Sequence, residues 1–74
     1  MKRDPVKSTT LKSVGYHKTR KILELEFTSN EVYEYYDVPA IIYQGLMEAV
    51  SHGSYFNELI KDRYDFLRLV NSKG

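Results

Sequence analysis

The first candidates for chemistry in this sequence are a serine beside a histidine and two closely spaced glutamates. Ser51 directly precedes His52, but neighbouring residues in a helix point about 100° apart, so this pair does not form a nucleophile and its base. Glu24 and Glu26 alternate along an apolar segment, and two carboxylates on an open strand face are more often solvated than engaged in acid–base catalysis. We therefore expect no catalytic site, and we expect His52 to lie at a helix terminus.

Metal and cofactor binding have equally little support in the sequence. The chain contains no cysteine, and its soft metal ligands are limited to His17 and His52, which is too few for a zinc site. The sequence also contains no glycine-rich phosphate-binding loop. We expect neither a metal nor a cofactor.

Two tyrosines could bind a ligand by stacking. Tyr33 and Tyr35 are separated by Glu34, so on a strand their rings share one face. Exposed rings at this spacing would form an aromatic platform for unpaired bases, whereas rings covered by helices would belong to the core. The strand register predicted below favours the core.

Four cations on the first predicted hairpin could contact phosphates, namely Lys12, Lys18, Arg20 and Lys21. The net charge is only +1, but the charges are segregated along the chain: residues 1–21 carry seven Lys or Arg, and residues 22–60 carry seven acids and no Lys or Arg. A polyanion should therefore meet the basic ends of the chain. These four cations are the predicted nucleic-acid-binding residues.

Alternation of apolar residues predicts the strands that would position these side chains. The pattern favours a strand over residues 12–16, with Lys12, Val14 and Tyr16 on one side, and a second strand over residues 20–27. A short connection makes the two strands a hairpin.

The loop after the second strand decides where the tyrosines lie. A two-residue loop would place both rings on the acidic face, whereas a three-residue turn ending at Asn30 would place Tyr33 opposite Leu25 and Tyr35 opposite Leu23. We predict the three-residue turn, because Asn tolerates a positive φ and the resulting register pairs apolar residues.

Two helices should follow the third strand. We expect Asp37 to cap the first helix, Pro39 to lie in its first turn, Gly53 to end it with a positive φ, and Ser54 to cap the second. Spacings of three and four predict two inward-facing sets: Ile42, Tyr43, Leu46, Met47, Ala49 and Val50, then Tyr55, Phe56, Leu59 and Ile60. The tail over residues 64–70, with Phe66, Leu67, Leu69 and Val70, is apolar enough to pack back onto the domain.

Length and composition indicate one small domain behind a short arm. The chain has 74 residues, and its first ten are polar, so we expect residues 1–10 to form a flexible basic arm and residues 11–74 to form a single domain. No apolar run reaches the roughly 20 residues of a membrane span, and the N-terminus does not resemble a signal peptide. A cytoplasmic location is the default expectation.

Several segments taken in order resemble the KTSC domain. They are Val14-Gly15-Tyr16, Leu23-x-Leu25-x-Phe27, Val32 to Pro39, and Gly53 to Asn57 with Ile60 and Tyr64. That family is named for a short domain at the C-terminus of some lysyl-tRNA synthetases, and it also occurs as a stand-alone bacterial or phage protein. The resemblance covers about residues 11–69. It implies a small domain of unknown function, with RNA binding suggested by the attachment to the synthetase.

The sequence thus predicts an α+β fold in which a three-stranded antiparallel meander is followed by two helices packed on one of its faces. The predicted function is that of a non-catalytic binding module, not an enzyme, which contacts an RNA such as tRNA through the basic hairpin. The alternative is a protein-interaction domain that docks onto a larger enzyme or a host factor. The two hypotheses differ in their salt dependence, because phosphate contacts weaken steeply as salt rises.

Overall fold

The structure is a computed structural model that describes residues 2–69. Within this range the chain forms two helices and one antiparallel sheet of five strands, with spatial order β1-β2-β3-β4-β5. The elements are β1 (Asp4–Pro5), β2 (Leu11–His17), β3 (Ile22–Phe27), β4 (Val32–Tyr35), α1 (Ala40–Glu48), α2 (His52–Leu59) and β5 (Phe66–Arg68). The α+β class is confirmed, and the predicted count of three strands is too low by two.

The two additional strands are the edges of the sheet. β1 pairs with β2 through Asp4 opposite Val14 and Pro5 opposite Ser13, so the segment expected to be a flexible arm contributes a short strand. β5 pairs with β4. Strands of two and three residues are too short to show alternation, which is why the pattern did not predict them. Val70, which was expected to pack back with the tail, lies outside the described residues.

A bulge near the start of β2 changes the predicted face of Lys12. Leu11 lies opposite Phe27 and Ser13 lies opposite Glu26, with a register shift between the two pairs. The inserted residue moves Lys12 off the side that holds Val14, and Leu11 takes the fully buried position instead. Lys12 itself is exposed.

The β3–β4 turn is as predicted. Leu25 lies opposite Tyr33 and Leu23 lies opposite Tyr35. Asn30 has a φ of 74°, which the Asn side chain tolerates better than most. This turn sets the register that places both tyrosines on the helix side of the sheet.

The first helix begins differently from the prediction. Asp37 has a φ of 58° and turns the chain out of β4, so it is too early to cap α1. Pro39 is the cap residue, with no side-chain hydrogen bond. Its carbonyl accepts from the amides of Ile42 and Tyr43 at 3.0 and 3.4 Å, and its missing N–H costs nothing at this position.

The junction between the helices also corrects the prediction for Gly53 and Ser54. Gly53 lies inside α2, without a positive φ. Ser51 is the cap of α2, and its hydroxyl accepts from the amide of Ser54 at 3.2 Å. Helix α1 ends earlier, at Glu48, so the polar segment read as a helix stop is in fact a helix start.

The core lies between the helices and one face of the sheet. It contains Leu11, Val14, Leu23, Leu25, Tyr35, Val38, Leu46, Phe56 and Ile60. Two residues predicted to face inward are instead exposed. Val50 follows the end of α1 and therefore leaves the helical period, and Leu59 is the last residue of α2.

A close approach, and not a positive φ, explains the glycine at position 53. A Cβ there would lie 2.7 Å from Thr10 Oγ1. Alanine in a helix ordinarily gains about 0.5 to 1 kcal/mol over glycine, whereas overpacking costs about 1 to 3 kcal/mol. We expect Gly53→Ala to destabilise the protein by about 1 kcal/mol in urea denaturation. The double variant with Thr10→Ala should recover part of this loss, and a complete lack of recovery would contradict the explanation.

Candidate functional site

Three of the four predicted phosphate-binding cations lie together in the turn that joins β2 to β3. Lys18, Arg20 and Lys21 are all exposed, and we call these three residues the basic turn. The ion pairs found among residues 2–69 involve other cations. The side chains of the basic turn are therefore available to an anionic partner.

Backbone contacts fix the conformation of the basic turn. The Arg20 amide donates to Nδ1 of His17 at 3.1 Å, which gives that histidine a structural role in the turn. Lys21 has a φ of 57°, and its carbonyl accepts from the Val38 amide at 3.0 Å. This last bond ties the turn to the segment that leads into α1.

Lys12, the fourth predicted cation, lies at the other end of β2. Lys18 follows it by six positions along the chain, or about 20 Å at about 3.4 Å per residue of strand. Its ammonium group is 3.2 Å from Asn30 Oδ1 and 3.9 Å from Glu26 Oε2. The structure therefore separates Lys12 from the basic turn and gives it partners within the domain.

The face of β3 expected to be acidic and wet is covered. Glu24 and Glu26 are only 6% and 8% exposed. The guanidinium of Arg3 contacts Glu24 Oε2 and lies 3.8 Å from Glu26 Oε1, while Ser13 Oγ donates to Glu26 Oε1 at 2.9 Å. This cluster was not predicted, because Arg3 lies in a segment without any periodic pattern. It compensates the two carboxylates, as buried charges require.

Tyr33 and Tyr35 both lie on the helix side of the sheet, but they differ in their exposure to solvent. Tyr35 is 4% exposed and Tyr33 is half-buried, and their rings stack with centroids 6.2 Å apart. Burial raises the pKa of Tyr35 to about 12, with smaller contributions from Tyr33 and Asp62. Tyr35 is therefore a core residue, and only Tyr33 presents part of its ring to solvent.

An open groove of about 480 Å³ lies beside this pair. Its aromatic walls are formed by Phe27, Tyr33, Tyr35, Phe56 and Phe66. Phe66 is 53% exposed, and it contacts both tyrosines with ring centroids 5.5 and 5.6 Å apart. The groove adjoins the β3–β4 turn, at the opposite end of β3 from the basic turn.

The catalytic candidates have structural roles. Ser51 caps α2, and the His52 ring places Nδ1 2.7 Å from the Leu46 carbonyl at the end of α1. Residues 2–69 contain no group of three side chains that could hold a metal ion. Over the same range, no helix has the length and apolar character needed to cross a membrane.

Comparisons with known proteins point to one family. The model of the KTSC domain matches residues 7–64. The crystal structure of a KTSC domain protein from Yersinia pestis superposes with a TM-score of 0.91 at 33% identity, covering 93% of this chain and 97% of that one. An uncharacterized protein of Stutzerimonas stutzeri is 42% identical over 64 residues, which is 86% of this chain and 90% of the relative.

A lysine–tRNA ligase contains a segment similar to this chain. The ligase of Nostoc punctiforme is 36% identical over 61 residues, or 82% of this chain, but the match spans 11% of the ligase. The ligase of Trichormus variabilis is 37% identical over 59 residues, which is 10% of its length. A segment similar to this chain thus makes up most of one small relative and a minor part of two much larger ligases.

Proposed function

The chain belongs to the KTSC domain family, and from that premise we propose that it is an accessory RNA-binding module that contacts phosphates through the basic turn. One observation carries the proposal. Lys18, Arg20 and Lys21 are exposed within a single four-residue turn, and the ion pairs of the described residues leave them uncompensated.

The geometry of the turn suits contact with a phosphate backbone. Long cationic side chains reach phosphates without an ordered cleft, and such contacts fix position without reading sequence. The Nδ1 of His17 accepts from the Arg20 amide, and the Val38 amide donates to the Lys21 carbonyl. The backbone of the turn therefore has little conformational freedom left to lose on binding. Because Arg3 compensates Glu24 and Glu26, those carboxylates repel an approaching polyanion less than their number suggests.

The relatives suggest which RNA to test first. The ligases that contain a similar segment carry tRNA in their names, and in them the module is a small fraction of the chain. We propose tRNA as the ligand on this basis. We also propose that the module is non-catalytic, since Ser51, the two histidines and the buried glutamates have structural partners.

Salt dependence tests this proposal. Three phosphate contacts, each contributing about −0.7 to −0.9, predict a log–log slope of about −2 to −3 for the tRNA affinity against salt concentration. The measurement is a titration of labelled tRNA with the protein at several salt concentrations. Binding that does not change with salt, or a lack of binding at low salt, would contradict the proposal.

Docking onto a larger protein is the second candidate function, and one observation favours it. The aromatic groove is largely apolar, contains the half-exposed Phe66, and lies away from the basic turn. An apolar protein interface would respond little to salt. A partner protein that binds independently of salt, together with absent tRNA binding, would favour docking.

A further inference from the structure

Among residues 2–69, the backbone groups on the outer edge of β5 have no partner. The Tyr36 amide donates to the Asp65 carbonyl at 2.9 Å, and the Leu69 amide donates to the Val32 carbonyl at 2.7 Å. Because antiparallel bonding alternates along a strand, the odd-numbered residues of this segment face β4. The N–H and C=O groups of Phe66 and Arg68 therefore point away from the sheet, and β5 has no second neighbour among residues 2–69.

The side chains of this edge are apolar on both faces of the sheet. Phe66 lies opposite Tyr35 on the groove side and is 53% exposed, whereas Leu67 lies opposite Glu34 on the other face and is 54% exposed. Natural edge strands are usually protected by charge, proline or a covering element. Arg68 is the one charged side chain on this edge, and its guanidinium is 3.3 Å from Glu31 Oε2.

We propose that β5 is a self-association edge, where a second copy of this chain pairs antiparallel about a two-fold axis at Leu67. In this register Phe66 lies opposite Arg68 of the second copy, and each such pair exchanges two backbone hydrogen bonds. Leu67 lies opposite its own counterpart at a non-hydrogen-bonded position, where the side chains approach most closely. The two five-stranded sheets become continuous.

The side chains that would face each other favour this register over the two registers shifted by one residue in the position of the axis. Antiparallel pairing must join the outward-facing residues, so the alternatives are two-fold axes at Phe66 or at Arg68. An axis at Arg68 would place two guanidinium groups directly opposite each other, which is unfavourable. An axis at Phe66 would place the apolar Leu67 opposite the charged Asp65, which is a poor pairing. The axis at Leu67 instead pairs apolar with apolar and places Arg68 beside a Phe66 ring, a cation–π arrangement.

The size of the edge sets the expected strength. Three residues on each side bury less than a standard protein interface, so we expect a weak dimer with a dissociation constant between about 10 μM and 1 mM. Sedimentation equilibrium over this range should show a monomer–dimer equilibrium. Hydrogen exchange at the Phe66 and Arg68 amides should slow as the concentration rises, because these amides become bonded only in the dimer.

A pair of charge variants tests the two-fold axis directly. Leu67→Asp and Leu67→Lys should each be monomeric alone, because like charges would face each other across the axis. An equimolar mixture should dimerise again, since Asp then faces Lys. Ile41→Asp is the matched control: Ile41 is 72% exposed on α1, and its replacement should leave the wild-type equilibrium unchanged. Circular dichroism verifies that every variant is folded.

Three results would overturn the proposal. They are a wild type that remains monomeric at about 1 mM, a Leu67→Asp variant that dimerises like the wild type, and a mixture of the two variants that stays monomeric. The mixture distinguishes this register from any other apolar contact, because only pairing at the axis brings position 67 next to itself.

Discussion

Replacing Tyr35 with alanine should destabilise the domain by about 3 to 5 kcal/mol, the cost of removing a large aromatic side chain from a core. Tyr35 is 4% exposed. Its ring lies edge-on to Phe56 with centroids 5.8 Å apart, and it stacks on Tyr33 at 6.2 Å. A domain of this size has little stability to lose, so Tyr35→Ala is expected to be largely unfolded at 25 °C.

Two further variants keep this prediction testable. Tyr35→Phe retains the ring and should remain folded, and Tyr33→Ala removes a half-buried ring and should cost less than Tyr35→Ala. Urea denaturation followed by circular dichroism gives the three free energies of unfolding. A Tyr35→Ala variant as stable as the wild type would contradict the assignment of Tyr35 to the core.

The pairing of β3 with β4 could be predicted from the sequence because residues in the turn and in the two strands determine it. Asn30 accepts the positive φ that the β3–β4 turn requires, and the alternation of leucines and tyrosines leaves one register that buries apolar residues. The observed pairs, Leu25 with Tyr33 and Leu23 with Tyr35, follow from those two facts. The helices were also predicted to exist, although their ends were misplaced.

The helix ends were misplaced because two residue types had more than one possible role. Gly53 suggests a left-handed stop, but in the fold it allows close approach of Thr10, a contact distant in sequence. Ser51 and Ser54 are both good caps, and Ser51 takes that role while Ser54 supplies the amide that it binds. Local propensity does not distinguish these alternatives, so tertiary packing decides between them.

The edges of the sheet and the cluster around Arg3 could not be predicted from pattern. β1 and β5 are too short to show alternation, and the partners of Arg3 lie 10 to 23 positions away in the sequence. The cluster also affects experimental design. Deleting residues 1–10 would remove both Arg3, the ion-pair partner of Glu24 and Glu26, and the edge strand β1, so such a truncation would test stability as well as RNA binding.

Reversing two charges in the basic turn should abolish tRNA binding and leave the fold intact. Lys18→Glu with Arg20→Glu replaces two favourable phosphate contacts by repulsion, and we expect an affinity loss of at least about 100-fold at low salt. Both side chains are exposed, and exposed charges contribute little to stability. Lys21 is left unchanged because its φ of 57° and its carbonyl bond to Val38 help to shape the turn.

The matched control reverses two cations elsewhere. Lys61→Glu with Arg63→Glu changes the net charge by the same amount, and both residues are exposed beyond the end of α2. If only the total charge matters, the two double variants should lose equal affinity. If the basic turn is the contact, the control should keep most of its binding.

A titration of tRNA with the wild type and these two double variants, under identical low-salt conditions, tests the central claim most directly. We predict binding by the wild type, a modest loss for Lys61→Glu with Arg63→Glu, and no measurable binding for Lys18→Glu with Arg20→Glu. Equal affinities for the wild type and the basic-turn variant, or equal losses in the two variants, would contradict the assignment of the basic turn as the RNA contact.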